Sequence, residues 1–133
     1  MYQKIILIGF LGANPEMRYL PDGTGVTSFS VATSNRYTSN GQKVDETTWW
    51  RVEAWGKLAE VTNQYLQKGS QVLVEGVMKP DKSTGGPRVW TRSDGTPAAS
   101  FEIKAQTVKF LSPKSEGGAQ GSQQSGLDDD APF

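Results

Sequence analysis

The stretch Thr47–Gly56, TTWWRVEAWG, carries the densest concentration of side chains able to do chemistry. Along a strand, successive side chains point to opposite faces. Trp49, Arg51, Glu53 and Trp55 then share one face, and Trp50, Val52 and Ala54 the other. The second set is apolar and suits a core. The first sets two indoles around a guanidinium with one carboxylate nearby, a surface that can stack flat rings and attract phosphate. Large aromatics also fill half-buried sheet positions, because they favour strands. Both readings fit this stretch taken alone.

Other chemistries are poorly provided for. The chain has no cysteine and no histidine, which excludes disulfides, thiolate nucleophiles, histidine triads and ordinary zinc sites. Glu53 and Glu75 are the only acids inside expected strands near the aromatic face. Two carboxylates are a thin basis for a metal-dependent nuclease or other hydrolase, which needs further convergent groups. No enzyme activity, cofactor or metal is expected. No apolar run reaches the length of a membrane span and no signal-peptide pattern opens the chain, so the expectation is an intracellular protein without membrane attachment.

The elements that must position the aromatic strand follow from periodicity. Lys4–Phe10 is an apolar, β-branched run read as a first strand, with Gly9 and Gly12 expected to bend or bulge it. Glu16–Leu20 is a short polar and aromatic stretch before a Pro21-Asp22-Gly23 turn. Val26–Thr33 alternates as a second strand, expected to pair with the first. Ser34–Glu46 reads as a polar loop around Asn40-Gly41. After Gly56 the period becomes helical over Lys57–Lys68, with Leu58, Val61, Tyr65 and Leu66 as one stripe and Gly69 as the stop. Gln71–Met78 returns to alternation, Gly76 marking a bulge. Arg88–Arg92 and Ala98–Phe101 flank Ser93–Thr96 as a protruding hairpin after the loop Lys79–Pro87, and Ser100–Leu111 forms a last strand. Three strands, a helix and two further strands is the order of an OB-fold: an all-β, five-stranded Greek-key barrel with one helix.

The 133 residues carry no net charge, yet the charge is unevenly placed. Residues 1–111 hold 13 Lys/Arg against 10 Asp/Glu, a net of +3, and residues 112–133 carry −3. A basic body with an acidic tail suggests nucleic-acid traffic. Residues 112–126 are mostly Ser, Gly and Gln and read as a flexible linker. Residues 127–133, LDDDAPF, end in an aromatic behind three carboxylates and read as a docking tip.

Together, ILIGFLGANPEMRYLPDGTGVTSFSVAT, TTWWRVEAWGKLAEV, YLQKGSQVLVEG and DDDAPF resemble the bacterial-type single-stranded-DNA-binding protein family. The resemblance implies an OB-fold over residues 1–111, usually a homotetramer, that coats unwound DNA without sequence preference in the cytoplasm, associated with the nucleoid. It implies stacking by Tyr37, Trp49 and Trp55, with Trp90 either stacking or packing. Phosphate contacts are implied for Arg18, Arg51 and Lys57, with Lys68, Arg88 and Arg92 as further candidates. The tip Asp128, Asp129, Asp130, Ala131, Pro132 and Phe133 is implied to recruit replication, recombination and repair proteins. An OB-type binder of single-stranded RNA is the alternative. The sequence departs from the family pattern in three places: Asn14 stands in place of an aspartate, the Lys79–Pro87 loop and following hairpin differ in length, and Ala131 replaces a branched aliphatic residue.

Overall fold

The computed structural model describes residues 1–112. It contains β1 (Ile5–Leu11), β2 (Glu16–Tyr19), β3 (Gly25–Ser39), β4 (Gln42–Trp55), α1 (Lys57–Tyr65), β5 (Gln71–Met78), β6 (Arg88–Thr91) and β7 (Pro97–Phe110). The sheet runs β1-β5-β7-β4-β3-β2, and β1 also pairs with β3. That last pairing closes β1, β5, β7, β4 and β3 into a five-stranded barrel, while β6 pairs with β7 outside it. This is the OB-fold expected from the element order. The linker from residue 113 onward and the tip lie outside the described residues.

The core follows the alternation of the strands. Phe29 and Val31 of β3, Val52 of β4, Val72 and Val74 of β5 and Ile103 of β7 meet Leu7 and Leu11 of β1 inside the barrel, with Leu66 beside them. Fully burying a side chain of this kind contributes about 1.5–3 kcal/mol. Trp50, on the inward face of β4, stands at the rim of this core. Its Nε1 donates to Thr33 Oγ1 at 2.9 Å, and its ring tilts against Phe101 at 5.2 Å between centroids.

Several elements differ from the sequence reading. The polar stretch Ser34–Glu46 is an extension of the two strands rather than a loop. β3 and β4 pair without interruption to Ser39 and Gln42, joined by Asn40 (φ 52°) and Gly41 (φ 78°). Two consecutive positive φ angles make the turn whose twist matches the flanking strands, and Asn-Gly accepts them at low cost. Glu16–Tyr19 is a strand, added to Gly25–Ser28. β1 pairs mainly with β5, and its ladder with β3 is confined to Phe10 and Leu11.

The helix is shorter than its periodic stretch, ending at Tyr65, with Leu66 extended. Lys68 therefore lies beyond it, and Tyr65 is exposed. The helix buries Ala59 and Thr62, Leu58 and Leu66 of the expected stripe still pack against the core, and Thr27 Oγ1, on β3, donates to Ala59 O at 2.7 Å. Asn14 Oδ1 accepts from the Lys68 N–H at 2.8 Å. An aspartate oxygen could accept the same bond.

Two glycines are fixed by close backbone approach. A Cβ on Gly9 would lie 2.1 Å from Ala32 O, and one on Gly76 would lie 2.2 Å from Lys104 O. The irregularity beside Gly76 leaves Gln106 of β7 unpaired, since Glu75 faces Thr107 and Gly76 faces Ala105. The extra residue is thus on β7, and β1 runs unbroken past Gly9.

Gly9→Ala is expected to destabilise the fold by about 1–3 kcal/mol, the range for an unaccommodated methyl group. The obstacle is backbone, so no side chain can swing aside. Urea unfolding checks this through a lower midpoint at constant slope; a wild-type midpoint refutes it.

Candidate nucleic-acid interface

The outward face of β4 displays Trp49, Arg51, Glu53 and Trp55 as the alternation requires. Directly opposite on β3 stand Ala32, Ser30, Ser28 and Val26, all but the last small enough to leave this face open. On the other side β7 runs parallel to β4, setting Glu102 against Arg51 and Lys104 against Glu53. β6 then adds Arg88 beside Ser100 and Trp90 beside Ala98. The result is a cleft of about 200 Å³ lined by Ser30, Trp49, Trp50, Arg51, Arg88, Trp90 and Ser100.

Trp49 is 54% exposed and forms one wall. Its position depends on Gly12, where a Cβ would fall 2.5 Å from the edge of the indole. Trp90 contributes from the β6–β7 hairpin, with the Arg88 guanidinium 4.5 Å from its ring centroid. Arg51 enters no ion pair among the described residues and is exposed in the same cleft. Six residues along the strand from Trp49, roughly 20 Å away at strand rise, Trp55 is half-buried with Lys104 Nζ 4.9 Å from its ring centroid. Flat rings and cations thus alternate along one sheet face, suited to stacking planar groups while neutralising an anionic backbone.

Two carboxylates lie beneath the cations. Glu53 is only 4% exposed, so it is not the open group that the sequence suggested. It accepts from Lys79 Nζ at 2.8 Å and lies 3.9 Å from Arg18 Nη2. Arg18 Nη1 also donates to Ser28 Oγ at 3.3 Å. Glu102, also 4% exposed, accepts from Arg88 Nε at 2.9 Å and from Ser100 Oγ at 3.0 Å. Burial pushes the Glu102 carboxyl up, but the hydrogen bonds from Arg88 and Ser100, with the Arg88 and Lys79 charges, outweigh it and hold the group below its ordinary value. Glu75 stands apart on β5, 4.0 Å from Lys4. No cluster of three potential metal ligands occurs among the described residues.

The remaining sequence candidates are dispersed. Tyr37 lies opposite Val44 on the protruding β3–β4 hairpin, and its hydroxyl donates to Glu46 at 3.3 Å. By register this is the hairpin face opposite to Trp49. Lys57 begins the helix beside Glu60, at 3.9 Å, and Lys68 follows its other end. Arg92 donates to Pro97 O at 3.0 Å, within the hairpin turn. None of these lines the cleft. Sequence reasoning omitted Lys79, Lys104, Ser100 and Glu102. The alternation of Ser100, Glu102 and Lys104 in the last strand is the one signal that groups three of them. Their arrival beside Arg51 depends on a parallel pairing that no local pattern announces.

A family model described as the single-strand binding protein family matches residues 2–111. The curated proteins named single-stranded DNA-binding protein from Neisseria meningitidis serogroups A and B are each 42% identical over 119 residues, 87% of this chain and 64% of their own length. The chain thus spans less than two thirds of these relatives. Among solved structures, a Plasmodium falciparum SSB complex with ssDNA aligns with a TM-score of 0.67 and 27% identity, covering 84% of this chain and 96% of that one. A small single-stranded DNA-binding protein from Streptomyces coelicolor aligns at 0.66 and 26%, covering 81% and 93%.

Gly12→Ala tests the wall of the cleft. The obstructed group is the far edge of an indole, so the ring is expected to move while the backbone holds. Stability should remain within about 0.5 kcal/mol of wild type, as for ordinary surface changes, while the near-ultraviolet circular dichroism from Trp49 changes. An unchanged spectrum would show that Gly12 does not set the ring.

Proposed function

The chain belongs to the single-strand binding protein family, and from that premise we propose that it coats single-stranded DNA without sequence preference and without catalysing a reaction. The observation that carries this reading is the cleft lined together by Trp49, Trp90 and Arg51, the last without an ion pair among the described residues. Every base has a π-face, so stacking on indoles gives affinity indifferent to sequence, while a duplex keeps those faces inside its own stack. Stacking of this kind contributes about 1–3 kcal/mol per base, a range drawn from this same class of protein. Cations supply the remainder through counterion release. The Plasmodium falciparum neighbour, a complex with ssDNA, supports the choice of ligand.

Trp55, Tyr37 and the more scattered cations Arg18, Lys57, Lys68 and Arg92 extend the proposed path beyond the cleft. Tyr37 serves it from the protruding hairpin, where both faces are open to a strand wrapping around the barrel. The proposed assembly is a homotetramer. Support comes from β1, whose outer face carries the apolar row Ile6, Ile8 and Phe10, with Phe10 47% exposed. Among the described residues, the Ile5–Gly9 edge facing away from β5 also has no partner in a strand ladder. The segment 127–133 is proposed to recruit replication, recombination and repair proteins, on the chemistry of three carboxylates followed by Pro132 and Phe133.

Titration with oligo-dT is expected to quench tryptophan emission strongly and duplex to quench it little; equal quenching by duplex removes the stacking reading. In the same assay Arg51→Ala should weaken binding to every base composition and reduce the salt slope by about 0.7, the value for one phosphate contact on a single strand. A loss confined to one composition would assign Arg51 to base recognition.

Removal of residues 127–133 is expected to leave a tetrameric mass by light scattering and an unchanged unfolding midpoint. Pull-downs with the shortened chain should lose replication and repair proteins. Undiminished recovery of those proteins would refute recruitment through this segment.

A further inference from the structure

Arg88 differs from Arg51 in a way that separates their work. Both guanidinium groups line the cleft. Arg51 has no carboxylate partner among the described residues, whereas Arg88 Nε is bound to Glu102 at 2.9 Å. The partner is buried, its side chain 5% exposed. A second donor, Ser100 Oγ at 3.0 Å, holds the same Oε2 atom. Ser100 is also the residue that faces Arg88 across the β6–β7 ladder. The anchor is therefore rigid: Glu102 sits within β7, in the barrel wall, and faces Arg51 across the parallel pairing. Above it, the Arg88 guanidinium covers the Trp90 ring at 4.5 Å. Carboxylate, guanidinium and indole form three layers, running from the barrel wall out to the hairpin.

A charge-assisted bond to a buried carboxylate is stronger and more directional than one in water. Displacing it would leave Glu102 ionised and unpaired in a site that water hardly reaches, which is strongly unfavourable. An incoming phosphate could reach only the Nη groups of a guanidinium whose charge the buried carboxylate already offsets, and the pair contributes no net charge to the cleft. What the pair does provide is a fixed platform for an indole on a two-stranded extension.

We propose, resting on the single-strand-binding reading above, that Glu102 and Arg88 are positioning residues that lock the Trp90 ring into its stacking orientation, and that Arg88 is not a phosphate contact. The anchor in the barrel thus reaches the nucleic acid only through the ring. Trp90 acts as a stacking residue, and Arg88 affects affinity without affecting the number of counterions released.

The test uses the full chain with 5-fluorotryptophan at its four tryptophans, the Trp90 fluorine signal being assigned by Trp90→Phe. Without DNA, Glu102→Gln and Arg88→Met are each expected to shift or broaden the Trp90 signal and leave that of Trp55 in place. With oligo-dT, Arg88→Met should weaken binding several-fold at an unchanged salt slope, while Arg51→Met lowers the slope by about 0.7. A merely structural role for the pair would not produce this split between affinity and slope. If a single variant does not fold, the Arg88→Met/Glu102→Gln double variant, which buries no unpaired charge, carries both measurements with the same expectations. An unmoved Trp90 signal overturns the positioning role, and a slope lowered by Arg88→Met as much as by Arg51→Met makes Arg88 a phosphate contact. Failure of the wild-type chain to bind oligo-dT would sink the single-strand-binding reading instead, and the DNA-free signals would still decide the positioning of Trp90.

Discussion

Closure of the barrel depends on two backbones coming closer than a side chain allows. At Gly9 the carbonyl of Ala32 occupies the place of a Cβ, and at Gly76 the carbonyl of Lys104 does the same. The first approach lets β1 pass from its long pairing with β5 to its short pairing with β3, and the second lets β5 lie against β7 beside their register shift. Closure then requires β4 and β7, separated in sequence by the helix and two strands, to meet side by side and parallel. The outer face is built by that meeting. It draws Arg51 from one strand, Glu102 and Lys104 from another, and Trp90 from the hairpin that β7 carries past the barrel.

The electrostatics of this face explain how a domain of small net charge can serve a polyanion. Its carboxylates are not distributed like its cations. Glu53 and Glu102 are both buried, each with its nearest cation within 3 Å. Glu102 cancels the charge of Arg88, and Glu53 offsets one of its two cations, Lys79 and Arg18, while both carboxylates fix where those side chains lie. Arg51, in contrast, stays open to solvent and enters no ion pair among the described residues, although Glu102 is its neighbour across the ladder. Summed charge is therefore a poor measure of the face, because interaction with a phosphate depends on which cations are free and how well the site is shielded from water.

Much of this was legible in the sequence, for identifiable reasons. The alternation of Trp49–Trp55 is a local property, and it separated the core-facing Trp50, Val52 and Ala54 from the outward Trp49, Arg51 and Trp55. The order of elements was local too, and led to the barrel. Where the reading failed, the deciding partner was distant. Glu53 looked like an exposed carboxylate because nothing near it in sequence reveals Lys79 and Arg18. Tyr65 looked like core because the helical period continued to it, whereas the Thr27–Ala59 bond turns the helix so that Ala59 and Thr62 face inward. The polar Ser34–Glu46 looked like a loop because a hairpin leaving the barrel has no core to cover and hence no apolar face. Residues 113–133 lie outside the described structure, so the linker rests on composition and the tip on its motif and family resemblance.

The same alternation also ties the core and the binding face together. Val52 and Arg51 are neighbours on one strand, and sliding β4 by a single residue against β3 would exchange their faces. A change that loosens the register would thus expose Val52 and bury a guanidinium in one step. The strands are held against this at both ends. The Asn40-Gly41 turn fixes the outer end with two positive φ angles, and Gly56 N–H donates to Gly25 O at 2.9 Å at the inner end. Between them, Trp50 Nε1 is bound to Thr33 Oγ1. The tight packing of Val52 therefore has a consequence on the opposite side of the sheet: it determines that Trp49, Arg51 and Trp55 are the side chains presented outward. Stability and ring presentation are set by one register, which is why the core of this small barrel cannot be altered independently of the surface it displays.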